Sequence, residues 1–236
     1  MPKMTRQITM IGFDADDTLW HNERFFTLTQ AKLADLLRDY SDPGNLMERL
    51  LAAEQRNLPH YGYGIKGFTL SMIETAVEVT DGQVPASVIA EILSAGREML
   101  AHPVELLPHV QRTLDALREN YKLVMITKGD LLDQERKLAE SGLRQMFDAI
   151  EIVSDKTADV YARVFSQHGD GPERGMMVGD SMKSDIVPMI IAGGWGVHIP
   201  NGTPWALELA PMPSCESRYE QIKALKDLPQ TLDKLT

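Results

Sequence analysis

Apolar residues run unbroken through ITMIGF (8–13), and the chain turns abruptly polar at Asp14. A short apolar run bounded by polar residues predicts a buried strand. Three more follow, KLVMIT (122–127), AIEIV (149–153) and GMMVG (175–179), with a weaker fifth in GWGVHI (194–199). Between them the pattern becomes helical: DLLDQERKLAESG stops at Gly142 and TADVYARVFSQHG at Gly169. Strands apolar along their whole length, alternating with helices, predict a parallel sheet covered on both faces.

Residues 20–104 break this alternation. Leu33, Leu36, Leu37 and Tyr40 fall at i, i+3, i+4 and i+7, a helical stripe. Leu46, Met47, Leu50 and Leu51 form a second, and Met72, Ile73, Ala76 and Val77 a third. Val88, Ile89, Ile92, Leu93, Gly96, Met99 and Leu100 form a fourth, opened by Pro85. No strand-like run interrupts them. The expected fold class is therefore α/β: a Rossmann-like parallel sheet core from residues 1–19 and 104–236, with an all-helical domain, 20–103, inserted after the first strand.

The bulk composition narrows the partners. At 43 % hydrophobic and 25 % charged residues the chain belongs with globular proteins. Its net charge of -10 argues against general nucleic-acid or anionic-membrane binding, which needs clustered Lys and Arg. A small anionic substrate held by one or two local cations stays compatible. Cys215 is the single cysteine, so no intrachain disulfide can form, and no basic neighbour activates it. No signal-peptide pattern or membrane-spanning apolar run is present, and a cytoplasmic location is expected.

In open parallel sheets functional groups collect at the carboxyl ends of the strands. Strand one is followed by Asp14, Asp16, Asp17 and Thr18, and the second by Thr127-Lys128-Gly129-Asp130. The third leads into Ser154-Asp155-Lys156-Thr157, and the fourth into Asp180-Ser181 with Asp185 beyond. Carboxylates converging without His or Cys favour a hard, octahedral cation, Mg²⁺. A lysine and a threonine hydroxyl beside it suit a phosphoryl group, and a carboxylate can act as nucleophile on phosphorus.

FDADDTL, ITKGD, SDKTADVY and VGDSMKSD, in this order on alternating strands, resemble the four motifs of the haloacid dehalogenase-like (HAD) hydrolase superfamily. The inserted helical domain resembles its C1 cap. The resemblance implies that Asp14 attacks phosphorus to form a phosphoaspartate, and that Asp16 protonates the leaving group and then activates water. It implies that Thr127 hydrogen-bonds the phosphoryl group and that Lys156 neutralises it. The implied Mg²⁺ ligands are Asp14, the backbone carbonyl of Asp16, and Asp180, with Asp185 at or just behind the ion. Lys128 is the alternative cation for substrate. An acid at position 16 implies phosphoryl transfer rather than dehalogenation, and phosphomonoester hydrolysis requires on the order of 20 kcal/mol of barrier lowering.

The expected activity is thus Mg²⁺-dependent hydrolysis of a small phosphorylated metabolite. A phosphomutase or a nucleotidase would use the same residues, and a non-enzymatic phosphoaspartate signalling module is the rival of another class. Other polar residues have plainer expectations. Asp17 reads as a turn residue, Thr18 as a turn hydroxyl within reach of Asp14, and Asp130, Ser154 and Asp155 as helix caps. His21, His198 and Trp205 read as packing or surface residues, and Met176, Met177, Met182 and Met189 as core filling. PHYGYGIKGF (59–68) reads as an irregular interhelix connection, with Tyr61, Tyr63 or Lys66 as candidate substrate contacts.

Overall fold

The computed structural model describes residues 8–202, 204–212 and 216–235, so Cys215 lies outside the described residues. Six stretches pair into one sheet: β1 (Met10–Phe13), β2 (Lys122–Lys128), β3 (Ala149–Val153), β4 (Gly175–Gly179), β5 (Trp195–His198) and β6 (Tyr219–Gln221). The order across the sheet is β3-β2-β1-β4-β5-β6, and every neighbouring pair is parallel. This is a Rossmann-like α/β core, with the order reversing between β1 and β4. The Tyr-Glu-Gln strand β6 carries no apolar run, so periodicity does not reveal it.

The helices of the described residues are α1 (Glu23–Leu36), α2 (Pro43–Tyr61), α3 (Ile65–Val79), α4 (Ala86–Leu100), α5 (Val110–Leu117), α6 (Leu131–Ser141), α7 (Ala158–His168), α8 (Val187–Ile191) and α9 (Leu228–Leu235). Gly142 stops α6 with a φ of 69°, a left-handed position that favours glycine. Thr157 caps α7, its hydroxyl accepting from the Val160 amide at 3.3 Å. Ser154 and Asp155 do not fill that place; Asp155 accepts the Lys156 amide instead, at 2.9 Å.

Two compact units result. One holds the described residues up to His21, Val104–Lys128 and those from Gln134 onward; the other holds Asn22–Pro103 and Gly129–Asp133. In the first, alternation along each strand sorts side chains to two faces. Ile11, Phe13, Leu123, Met125, Met176 and Val178 enter one buried cluster, joined by Trp20 and Leu114. Met10, Val124, Ile126 and Met177 enter another, with Tyr161, Phe165 and Met189. Of the four methionines expected in the core, Met182 is only half-buried.

In the helical unit Leu33, Leu37, Leu46, Leu50, Phe68, Met72, Ala76, Ile92 and Met99 share one core. Tyr40 lies beyond the end of α1 and is exposed. The 59–68 segment departs from expectation: α2 continues through Pro59 to Tyr61, and α3 begins at Ile65, so only Gly62-Tyr63-Gly64 connects them. The φ values of Gly62 (70°) and Gly64 (108°) let three residues make the turn. No helix among the described residues is long and apolar enough to cross a membrane.

Candidate active site

The Asp14 amide completes the β1 ladder by donating to the Val178 carbonyl at 2.9 Å, which fixes this carboxylate at the β1/β4 reversal. Asp14 is buried. The Thr18 hydroxyl donates to its Oδ2 at 3.1 Å, and Lys156 Nζ donates to its Oδ1. Lys156 follows β3, two strands or roughly 10 Å from β1. Its amine also donates to Asp185 Oδ1 at 2.7 Å. Burial works against the charge on Lys156, but the flanking Asp14 and Asp185 carboxylates outweigh it and hold the amine charged.

Asp185 sits in a π-helical turn, Met182–Ile186, a distortion frequent at functional sites. Its Oδ2 accepts the Ser181 amide at 3.0 Å. A Cβ at position 179 would overlap the Asp185 carboxylate, which explains the glycine before Asp180. Asp180 is half-buried, and its backbone carbonyl accepts from His198 Nε2 at 2.9 Å. His198 therefore supports this loop.

Asp16 is held by residues that the sequence pattern did not single out. Trp20 Nε1 donates to its Oδ1 at 2.7 Å, and Gln134 Nε2 to its Oδ2 at 2.9 Å. Lys137 Nζ lies 2.8 Å from Oδ1 and 3.1 Å from Oδ2. Burial raises the pKa of Asp16, but Lys137 and these donors outweigh it and bring the carboxyl below its ordinary range. Gln134 Nε2 also lies 3.1 Å from Thr127 Oγ1, tying the hydroxyl after β2 to the second carboxylate after β1.

The remaining candidates separate. Lys128 Nζ donates to Glu208 Oε1 and Ser184 Oγ, both at 2.6 Å. The hydroxyls of Ser181 and Ser184 reach Glu208 Oε2, each at 2.5 Å, so Glu208 neutralises this lysine. Asp17 has a φ of 60°, and its carbonyl accepts from Asn201 Nδ2 at 2.9 Å. Tyr63 and Lys66 belong to the helical unit, where Lys66 Nζ lies 3.0 Å from both Asp130 oxygens. Asp130 also caps α6 by accepting the Asp133 amide at 3.1 Å. Tyr61 donates to Glu74 at 2.9 Å within that same unit.

One carboxylate oxygen each from Asp14, Asp180 and Asp185 falls within a 4.8 Å span. Burial and nearby carboxylates raise the pKa of Asp14 to about 7, with Lys156 opposing, and that of Asp180 well above its ordinary value through Asp14, Asp185 and Asp17. One lysine does not balance this charge, and an oxygen-only donor set suits a hard divalent cation. A carboxyl that is harder to ionise in the folded chain stabilises it at low pH, and that stability is lost as pH rises through about 7. A cation that replaces those protons is needed most above that point. The gain in Tm on adding Mg²⁺, relative to EDTA, is therefore expected to be larger at about pH 8 than at about pH 5. Equal gains in melts at both pH values would refute this.

The same arrangement relates the chain to known proteins. The family model described as haloacid dehalogenase-like hydrolase matches residues 8–193. A crystal structure of a haloacid dehalogenase-like family hydrolase from Xanthomonas campestris is 40 % identical with a TM-score of 0.85, covering 97 % of this chain and 91 % of that one. The HAD hydrolase YfnB from Bacillus subtilis, whose structure is bound to magnesium, shares the fold at 18 % identity and a TM-score of 0.66, covering 96 % of this chain and 99 % of that one. Pyrimidine 5'-nucleotidase YjjG from Escherichia coli (strain K12) is 35 % identical over 94 residues, which span 37 % of this chain and 41 % of that protein. With the family's motifs gathered at one edge of its sheet, the chain belongs to the haloacid dehalogenase-like hydrolases.

Proposed function

We propose that this hydrolase is a Mg²⁺-dependent phosphomonoesterase acting on a small phosphorylated metabolite through a phosphoaspartate on Asp14. Asp16 carries the proposal. A halide leaves as a stable anion and needs no proton, whereas an alkoxide leaving from phosphorus does. A second carboxylate two residues from the nucleophile, held by Trp20, Gln134 and Lys137, meets the second need, a proton for the leaving group that a halide does not call for.

In the proposed reaction Asp14 attacks phosphorus, the bond to the leaving oxygen breaks, and that oxygen takes the proton of Asp16. Water then attacks the phosphoaspartate, Asp16 takes its proton, and the Asp14–phosphorus bond breaks to release phosphate. The free Asp16 favours its charged form, which suits the second half. A phosphate dianion beside it raises its proton affinity for the first. Lys156 neutralises the phosphoryl oxygens while holding Asp14, and Thr127 donates its hydroxyl to them. Asp14, Asp180, Asp185 and the Asp16 carbonyl would hold Mg²⁺, which supplies positive charge to the phosphoryl oxygens. The helical insertion would act as a cap, with Tyr63 and Lys66 as its candidate substrate contacts.

The partial similarity to YjjG favours nucleoside monophosphates as one substrate class to test first. The net charge of -10 supports a small anion rather than nucleic acid or an anionic membrane as partner. A panel of sugar phosphates, phosphorylated hydroxy acids and nucleoside monophosphates, assayed for inorganic phosphate with Mg²⁺ and with EDTA, is the test. Release that needs Mg²⁺ is expected. No release from any member, or a sugar phosphate isomer in place of free phosphate, would sink the phosphatase assignment.

A further inference from the structure

Lys137 presents a buried charge that takes no direct part in the proposed chemistry. It lies on α6, 7 % exposed, with its amine on both oxygens of Asp16. Gln134, one turn earlier on the same helix and 2 % exposed, reaches Asp16 Oδ2, and its own Oε1 has no partner. Burying an ammonium and an amide on a helix whose Leu131 and Leu132 stay 59 % and 69 % exposed is costly in folding terms. A core serving stability alone is better filled by apolar side chains. The four donor contacts, at 2.7–3.1 Å, leave the Asp16 carboxylate little rotational freedom.

We infer that Lys137, with Gln134 beside it, is a positioning residue that orients the Asp16 carboxyl for proton transfer to the leaving oxygen. The inference rests on the phosphomonoesterase assignment. Lys137 neither touches the phosphoryl group nor exchanges a proton in the reaction: the proton passes from Asp16 to the leaving oxygen as the phosphorus–oxygen bond breaks. A misdirected Asp16 matters only where the leaving group needs that proton. Removing Lys137 should therefore slow esters of basic leaving groups and spare those whose leaving group departs unaided.

The test uses the full chain with Mg²⁺ and three aryl esters: 2,4-dinitrophenyl, p-nitrophenyl and phenyl phosphate. kcat/KM reports the steps up to phosphorylation of Asp14. For Lys137→Met it is expected to fall about 10²-fold with phenyl phosphate and to change little with the dinitrophenyl ester. Lys137→Arg, which keeps a charged donor, is expected to restore part of the loss with phenyl phosphate. If Lys137→Met does not fold, Lys137→Gln is measured in its place, with the same graded loss expected. An equal loss across the series, or no loss, overturns the inference while leaving wild-type phosphatase activity intact. Failure of the wild type to release phosphate from any of the three overturns the functional assignment and the inference together.

Discussion

Asp14→Asn is expected to abolish Mg²⁺-dependent turnover of p-nitrophenyl phosphate, by about 10⁴-fold or more. The amide keeps the shape of the carboxylate but cannot form an acyl-phosphate, so the loss is chemical. Folding should report the opposite. Asp14 sits buried near Asp185 and Asp16, and its pKa is raised to about 7, so its charge is unfavourable in the metal-free chain above that pH. A neutral amide removes that penalty, while Lys156 keeps its pair with Asp185 at 2.7 Å. In EDTA at about pH 8 the variant should therefore melt no lower than the wild type. Turnover at the wild-type rate would rule out Asp14 as nucleophile. Lost activity accompanied by a large drop in Tm would point to a structural role instead.

The parts of the site legible in the sequence share one property: each lies at the end of an apolar run or within three residues after it. Asp14, Thr127, Lys156 and Asp180 are read by finding a buried strand and looking just past its end, because parallel strands of one sheet deliver their carboxyl ends to one edge. The supporting residues have no such marker. On α6 the hydrophobic pattern misleads, since Leu131 and Leu132 are exposed while Asp133, Gln134 and Lys137 are buried. An amphipathic reading turns that helix the wrong way, and only the spacing of Gln134 and Lys137 at i and i+3 hints at a shared polar face. Glu208 lies on a segment with no periodicity, and its role depends on Lys128 and Ser184, which are remote in sequence. Asp17 has a φ of 60°: the backbone is left-handed there, and Asp is among the few residues besides glycine that tolerate it. In PHYGYGIKGF the glycines point to an irregular interhelix connection over 59–68. Pro59 instead falls in the last turn of α2, and Gly67 lies inside α3, so helix packing overrode local composition.

Lys156→Met should produce the largest combined loss of stability and activity. The Lys156 amine is nearly inaccessible, with its side chain 2 % exposed, and it is the cation that bridges Asp14 and Asp185. Removing one member of a buried ion pair leaves the others uncompensated, typically at a cost of about 3–5 kcal/mol. The sign with pH follows from the raised pKa of Lys156: its stabilisation is fully present below the ordinary lysine range and is lost only as pH rises through its elevated folded value. At low pH, however, protonation of Asp14 relieves the variant. The difference in Tm between wild type and variant should thus widen as pH rises from about 5 to about 8. Mg²⁺ should recover part of the Tm, because a divalent ion can meet the freed carboxylates, but not the rate. A metal held by Asp14, Asp180 and Asp185 would not replace the N–H donors that Lys156 is proposed to offer the phosphoryl oxygens, so kcat is expected to fall about 10³-fold. Lys128 cannot take over while Glu208 and Ser184 hold its amine at 2.6 Å. Urea denaturation and p-nitrophenyl phosphate kinetics at both pH values measure the two effects separately. A variant that regains wild-type kcat once Mg²⁺ has restored its fold would show that Lys156 serves the carboxylates alone and leaves the phosphoryl group to other donors.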